Sequence, residues 1–201
     1  MSITFYYVRH GQTLFNAQRK IQGWCDSPLT KKGIENAEMA REALEKVSLT
    51  RAYTSTSERC IDTANIILKG RDVPLYPVKE LKEINFGALE GEKISDILPE
   101  MQKRWKTEDY RDVGGENSGE VQQRLRKLFK KITSESKEND SIMIVSHGAC
   151  FLQLLEALKI MKADEFLQKH KPDTHKSGPI RNGLAAVITY DHGAFSLSKV
   201  Y

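Results

Sequence analysis

The sequence predicts a three-layer α/β/α sandwich built on a largely parallel central sheet. Three observations carry that expectation. Runs rich in β-branched and aromatic residues alternate with segments of helical apolar spacing. Three strand-like runs end in residues suited to chemistry, at the carboxyl edge where open α/β sheets place their ligand crevices. No repeat or low-complexity segment breaks the alternation, so 201 residues with 39% hydrophobic content suit one domain, residues 1–201, with a sizeable core.

Taken in order, Ile3-Thr4-Phe5-Tyr6-Tyr7-Val8 is the first strand, closed by Arg9-His10-Gly11. A polar loop, Gln18 to Trp24, precedes Thr30, which is placed to cap a helix bearing Ile34, Ala37, Met39, Ala40, Ala43, Leu44 and Val47. Ala52-Tyr53-Thr54 is a short strand, and Ser55 to Leu68 is a turn passing into a second helix. Val73 to Val78 is an edge strand because Pro74 and Pro77 interrupt it. Ile84 to Asn117 is polar and irregular, with a helical piece around Met101 to Trp105. Gly119 to Ser134 is an amphipathic helix through Val121, Leu125, Leu128, Phe129 and Ile132. Ser141 to Ser146 is a buried strand, followed by His147-Gly148 and an apolar helix from Cys150 to Leu158. Leu184 to Tyr190 and Phe195 to Val200 are strands joined by a hairpin turn at Asp191-His192-Gly193.

Composition narrows the function classes. A formal charge of +4 is too mild for a nucleic-acid partner, and no basic stripe is interleaved with aromatics. No apolar run approaches membrane-spanning length, and the first residues lack the pattern of a signal peptide. Cys25, Cys60 and Cys150 have no metal-type spacing, which suits reduced thiols in a cytoplasmic protein. Nothing in the pattern fixes an oligomeric state.

The strand ends carry the chemistry. His10 and His147 each follow a strand and precede a glycine, so both imidazoles are expected at one sheet edge. Imidazole is a competent nucleophile toward phosphorus, and the Arg9 guanidinium is a permanently charged fork suited to phosphate oxygens. A hydrogen-bonded structural histidine is the alternative at either position. Arg59, in the first turn of a helix, joins the positive end of the helix dipole and would serve an anion there. Its alternative is a surface pair with Glu58 or Asp62.

Arg9-His10-Gly11-Gln12-Thr13 with Asn16 resembles the signature of the histidine phosphatase superfamily, the phosphoglycerate-mutase-like proteins. The resemblance continues in order through Ile21-Gln22-Gly23, Asp26-Ser27-Pro28-Leu29-Thr30 with Gly33, and Thr54-Ser55 with Arg59 and Thr63-Ala64. It resumes at Glu83 to Gly91, at Gly114-Gly115-Glu116-Asn117 and at Ser146-His147-Gly148. It implies a small phosphate ester as substrate and His10 as the nucleophile that becomes phosphohistidine, with its other ring nitrogen donating to a carbonyl that fixes the tautomer. It implies that Arg9, Arg59 and His147 surround the phosphoryl oxygens, that Asn16 adds a donor, and that no metal or other cofactor is needed. Glu83 is implied as the acid that protonates the leaving oxygen, although its charged neighbours Glu80, Lys82 and Glu90 equally suit a solvated loop carboxylate. Gln22 and Gly23 are implied to meet substrate oxygens, Asn182 matches a family position near the pocket, and about residues 85–118 form a lid insertion in which Glu116 has an organising role.

The departures select a branch. Mutases of this family carry Glu-Arg-His-Tyr-Gly around the acid, whereas this chain has Glu83-Ile84-Asn85-Phe86-Gly87 and a short segment from Lys93 to Asn117. Both resemble the phosphatase branch, because Ile84 and Phe86 cannot supply polar contacts and an open site admits water. A cofactor-dependent phosphoglycerate mutase and a catalytically weak binding or regulatory module are the alternatives. For the substrate, Trp105 and Tyr110 with Lys103, Arg104, Lys106 and Arg111 suggest a sugar phosphate, a nucleotide-related ester or a multiply phosphorylated compound, or else a solvated face with one aromatic turned inward. The basic loop His170 to Ser177 is a further expected border of the pocket.

Overall fold

A computed structural model describes residues 1–170 and 180–201. Six strands form one sheet: β1 (Ser2–Arg9), β2 (Arg51–Ser55), β3 (Leu75–Val78), β4 (Asp140–Ser146), β5 (Gly183–Asp191) and β6 (Ala194–Val200), in the order β3-β2-β4-β1-β5-β6. The first four strands of that order run parallel, and β5 and β6 close the far side as an antiparallel hairpin. The expected sandwich with a largely parallel sheet is what forms.

Period-2 alternation explains the layering. Phe5, Tyr7, Ile142 and Ile144 face one side, with Phe129 and Leu125 of α5 (Ser118–Ser134) and Phe151 and Leu154 of α6 (Gly148–Ala157). Val8, Met143 and Val145 face the other, with Ala40 of α2 (Lys31–Ala43) and Cys60, Ala64 and Ile67 of α3 (Glu58–Leu68). β4 is buried on both faces, which accounts for its unbroken apolar run. Pro77 pairs with Thr54 on the edge strand, where its missing N–H faces no neighbour.

Thr30 caps α2 as expected, its hydroxyl accepting from the Gly33 N–H at 3.1 Å. The buried stripe of α2 runs through Gly33, Ala37 and Ala40, however, so Ile34 and Met39 are exposed rather than core. At 100° per residue those two positions fall beside the stripe. The helix ends at Ala43, and Val47 packs on the core from the following turn. The hairpin turn holds His192 at φ 46° and Gly193 at φ 93°, the pair of left-handed residues that a type I′ turn requires. In the 85–118 stretch the helix is longer than expected, α4 (Leu98–Thr107). Two short helices had no sequence expectation, α1 (Leu14–Ala17) and α7 (Ala163–His170).

Candidate active site

The carboxyl ends of β1, β4 and β2 meet at one place. The His10 N–H donates to the Ser146 carbonyl at 3.0 Å, and the His10 and His147 rings lie 5.2 Å apart between centroids. The His10 Nδ1 lies 2.8 Å from the Gly11 carbonyl oxygen. A carbonyl only accepts, so Nδ1 carries the proton and the Nε2 lone pair is left for chemistry. Burial, then the nearby Arg59 and Arg9 charges, holds the His10 pKa well below the ordinary imidazole value, so the ring is neutral. The His10 carbonyl is held in turn by Asn182, whose Nδ2 donates at 2.6 Å.

Arg59 is 1% exposed and defines one wall. Its Nη1 donates to the Cys25 carbonyl and to Asp26 Oδ1, each at 2.9 Å, and its Nη2 to the Gly23 carbonyl at 2.8 Å and to His147 Nδ1 at 3.0 Å. The ion pair is therefore with Asp26, not with the expected surface partners Glu58 or Asp62. Asp26 also accepts from the Glu58 N–H at 2.6 Å, capping α3 where Ser57 makes no side-chain cap. The Arg59 Nε–H is buried without an acceptor among the described residues. Leaving such a donor dry costs roughly 1–3 kcal/mol.

His147 is the residue before α6 and is fully buried. Its Nδ1 accepts from Arg59, so its Nε2 carries the proton and donates to Ser55 Oγ at 2.9 Å. Burial, then Arg59, keeps this imidazole neutral as well. Arg9 is 6% exposed and donates to the Ile180 carbonyl at 2.6 Å. Burial lowers its pKa to about 10, which leaves it charged at neutral pH.

Glu83 is 7% exposed and not the solvated loop carboxylate that its neighbours suggested. Its Oε1 accepts from Ile84 N–H at 3.0 Å and Cys150 N–H at 2.7 Å, and its Oε2 from Ala149 N–H at 3.0 Å. It thus sits on the N-terminus of α6. Burial raises its pKa above the ordinary carboxylate value despite those donors and the nearby Arg59 charge.

Arg9, His10, Arg59, Glu83 and His147 are thereby brought together. Gly23 supplies a carbonyl to Arg59, and a Cβ there would lie 2.3 Å from the Ile84 carbonyl, so only glycine lets the two loops touch. Asn16 and Gln22 are tied to Thr13 through their oxygens: Asn16 Oδ1 accepts from the Thr13 N–H and completes the cap of α1, and Gln22 Oε1 accepts from Thr13 Oγ1 at 2.6 Å while its Nε2 donates to Ser27 Oγ at 3.0 Å. Of the cations in the 85–118 stretch, Arg104 is tied to Asp112 and Glu100, and Arg111 to Asp109, around a cleft of about 460 Å³ that none of the histidines lines. Tyr110 is the aromatic turned inward, edge-on to Phe86 at 4.9 Å, while Trp105 is exposed. Most of the basic loop, residues 171–177, falls outside the described residues. No three His, Cys, Asp or Glu side chains gather as metal ligands, and no helix is long and apolar enough to cross a membrane, among the described residues. Sequence reasoning missed the partners Asp26 and Ser55: the Asp26 contact to Arg59 spans 33 positions and carries no local signal.

Comparison with known proteins places the chain in a family. Residues 5–199 match the histidine phosphatase superfamily, branch 1. The chain is 33% identical over 159 residues, covering 76% of itself and 73% of the relative, to a Yersinia pestis protein named probable phosphoglycerate mutase GpmB. It is similar to the structure of Bacillus stearothermophilus YhfR at 32% identity and TM-score 0.77, covering 98% of this chain and 95% of that one. It is also similar to a phosphoglycerate mutase from Bacillus anthracis at 27% identity and TM-score 0.80, covering 99% and 92%.

Proposed function

Because the chain belongs to the histidine phosphatase superfamily, we propose that it is a metal-independent phosphomonoesterase, acting on a small phosphorylated metabolite through a phosphohistidine on His10. One observation carries the reading: His10 Nδ1 is fixed on the Gly11 carbonyl, so the free Nε2 lone pair stands beside a buried guanidinium with an unused donor. The chemistry takes two transfers. His10 Nε2 attacks phosphorus in line, the P–O ester bond breaks, and the protonated Glu83 gives its proton to the leaving oxygen. Water then attacks the phosphohistidine, Glu83 takes back a proton, and the P–N bond breaks to release phosphate. Arg9 and Arg59 hold the equatorial oxygens on which charge is spread, while His147, locked to Arg59 and Ser55, completes the wall.

A second reading, a phosphoglycerate mutase, has the names of two relatives in its favour. Against it, Ile84 is 5% exposed and Phe86 packs on Tyr110, so the positions after the acid serve the core rather than a second anionic substrate. Brief incubation with a labelled phosphate ester tests both. The expected result is an acid-labile, alkali-stable label on His10 that is discharged to water, unaffected by exhaustive chelation. Discharge to a phosphoglycerate instead would establish the mutase. Neither label nor turnover across a broad ester panel would point to the binding or regulatory module.

A further inference from the structure

The Gly114-Gly115-Glu116-Asn117 segment and helix α5 take no part in the chemistry above, yet they converge beneath Glu83. Arg124 of α5 has a side chain only 15% exposed. Its Nη1 donates to the carbonyls of Glu80 at 2.6 Å and Lys82 at 2.8 Å, and its Nη2 to the carbonyl of Glu83 at 3.0 Å. The same guanidinium meets both carboxylate oxygens of Glu116, each at 3.1 Å. Glu116 accepts in turn from the Asn85 N–H at 3.0 Å, and its own N–H donates to the Asn85 carbonyl at 2.9 Å. A Cβ on Gly115 would lie 2.3 Å from that carbonyl, so the glycine permits the approach.

One guanidinium–carboxylate pair therefore grips the main chain on both sides of Glu83. The segment it grips belongs to no strand, so its carbonyls have no ladder partners and would otherwise wander. The Trp24 indole N–H donates to the Glu83 carbonyl at 3.1 Å beside Arg124, which fills both lone pairs of that oxygen. Proton transfer is sensitive to placement, and a displacement of about 1 Å can cost ~100-fold in rate. A planar fork suits this task better than a point charge, because it fixes direction as well as distance.

We propose that Arg124, oriented by Glu116, is a positioning residue that sets where the Glu83 carboxyl stands when it passes its proton. The inference rests on the reading of Glu83 as the acid. Its test compares kcat/KM, which reports phosphoryl transfer to His10, on an alkyl phosphate and on nitrophenyl phosphate. Nitrophenolate leaves without a proton, so only the alkyl ester depends on a well-placed acid. Arg124→Lys is expected to slow the alkyl ester roughly 10- to 100-fold and the nitrophenyl ester less than about 3-fold. In a Glu83→Gln background the same substitution is expected to add nothing on the alkyl ester. Equal losses on both esters, no loss on either, or full additivity with Glu83→Gln would each overturn the proposal. If Arg124→Lys fails to fold, Glu116→Gln carries the same comparison with the guanidinium in place. Should Glu83→Gln alone slow both esters equally, the acid assignment falls and this inference with it. Selectivity kept by Glu83→Gln but absent from Arg124→Lys overturns this inference alone.

Discussion

Two strands of this sheet end in the same way, yet their histidines are held in opposite states. At the end of β1, His10 spends its Nδ1 proton on the adjacent Gly11 carbonyl, and its Nε2 has no partner among the described residues. At the end of β4, His147 has both nitrogens engaged, Nδ1 by Arg59 and Nε2 by Ser55. The path of the main chain past each histidine explains the difference. After His10 the chain runs through a loop, which leaves the next carbonyl turned toward the ring. After His147 it enters α6 at once, so the next carbonyl points along the helix axis and the ring must find partners on β2 and α3. A strand–His–Gly pattern thus places an imidazole at the sheet edge, while the backbone beyond it decides whether both of its nitrogens find partners.

The strongest way to break this comparison is to remove each ring. His10→Ala is expected to abolish the phosphohistidine and lower kcat at least ~10⁴-fold, since a lost covalent route is not recovered from the remaining donors. His147→Ala is expected to cost about 10²- to 10³-fold, with label on His10 still detectable by rapid quench. Equal losses, or a label that survives His10→Ala, would show the roles to be misassigned.

A smaller effect sharpens the support side. Asp26→Asn removes the counter-charge that aims Arg59 and weakens the cap of α3. Stability should fall by about 1 kcal/mol, read from the denaturation midpoint, and phosphate or vanadate should inhibit less well. Unchanged inhibition would mean that Arg59 is oriented by its carbonyl contacts alone.

pH gives the smallest and most diagnostic effects. Both imidazoles have folded pKa values depressed below the ordinary value, chiefly by burial. Below about 6.5 the unfolded chain takes up protons that the folded chain refuses, so stability is complete above that pH and falls as pH drops. His147→Gln should flatten the fall between pH 7.5 and 5.5, measured by urea midpoint; an unchanged slope would contradict a neutral buried His147. For activity the sign is the same at His10, because attack needs the neutral ring, and the acid limb should lie below 6.5. Glu83 has a raised pKa, so the alkyl ester alone should lose rate as pH rises through that value.

Much of this was legible in the residues. The strands that carry the site were readable because β-branched runs ending in Arg9-His10 and Ser146-His147 combine period and position in a few adjacent letters. Thr30 was readable because capping is local. Ile34 and Met39 were misplaced because apolar spacing in α2 fits two stripes, and contact with the sheet chose the one through Gly33 and Ala37. The burial of Glu83 was illegible, since the N-terminus of α6 that covers it lies more than 60 positions away. Asn16 and Gln22 matched the family pattern, while the bonds of their oxygens to Thr13 and of the Gln22 amide to Ser27 are details that pattern alone does not reveal.

The position of β1 at the middle of the sheet has a consequence for how the protein comes into being. Its neighbours are β4 and β5, and the contacts that hold Arg9 and His10 reach across 171 and 172 positions to Ile180 and Asn182. On a ribosome adding about 5–20 residues per second, the strand leading to His10 waits on the order of ten seconds or more for its second neighbour. Until β4 and the helices of both faces have been made, Phe5, Tyr7 and Val8, all later sequestered, are without full cover. Loops that long close slowly, so the contacts of Arg9 and His10 with Ile180 and Asn182 form late, and a chaperone that shields hydrophobic runs would find its client at the β1 strand.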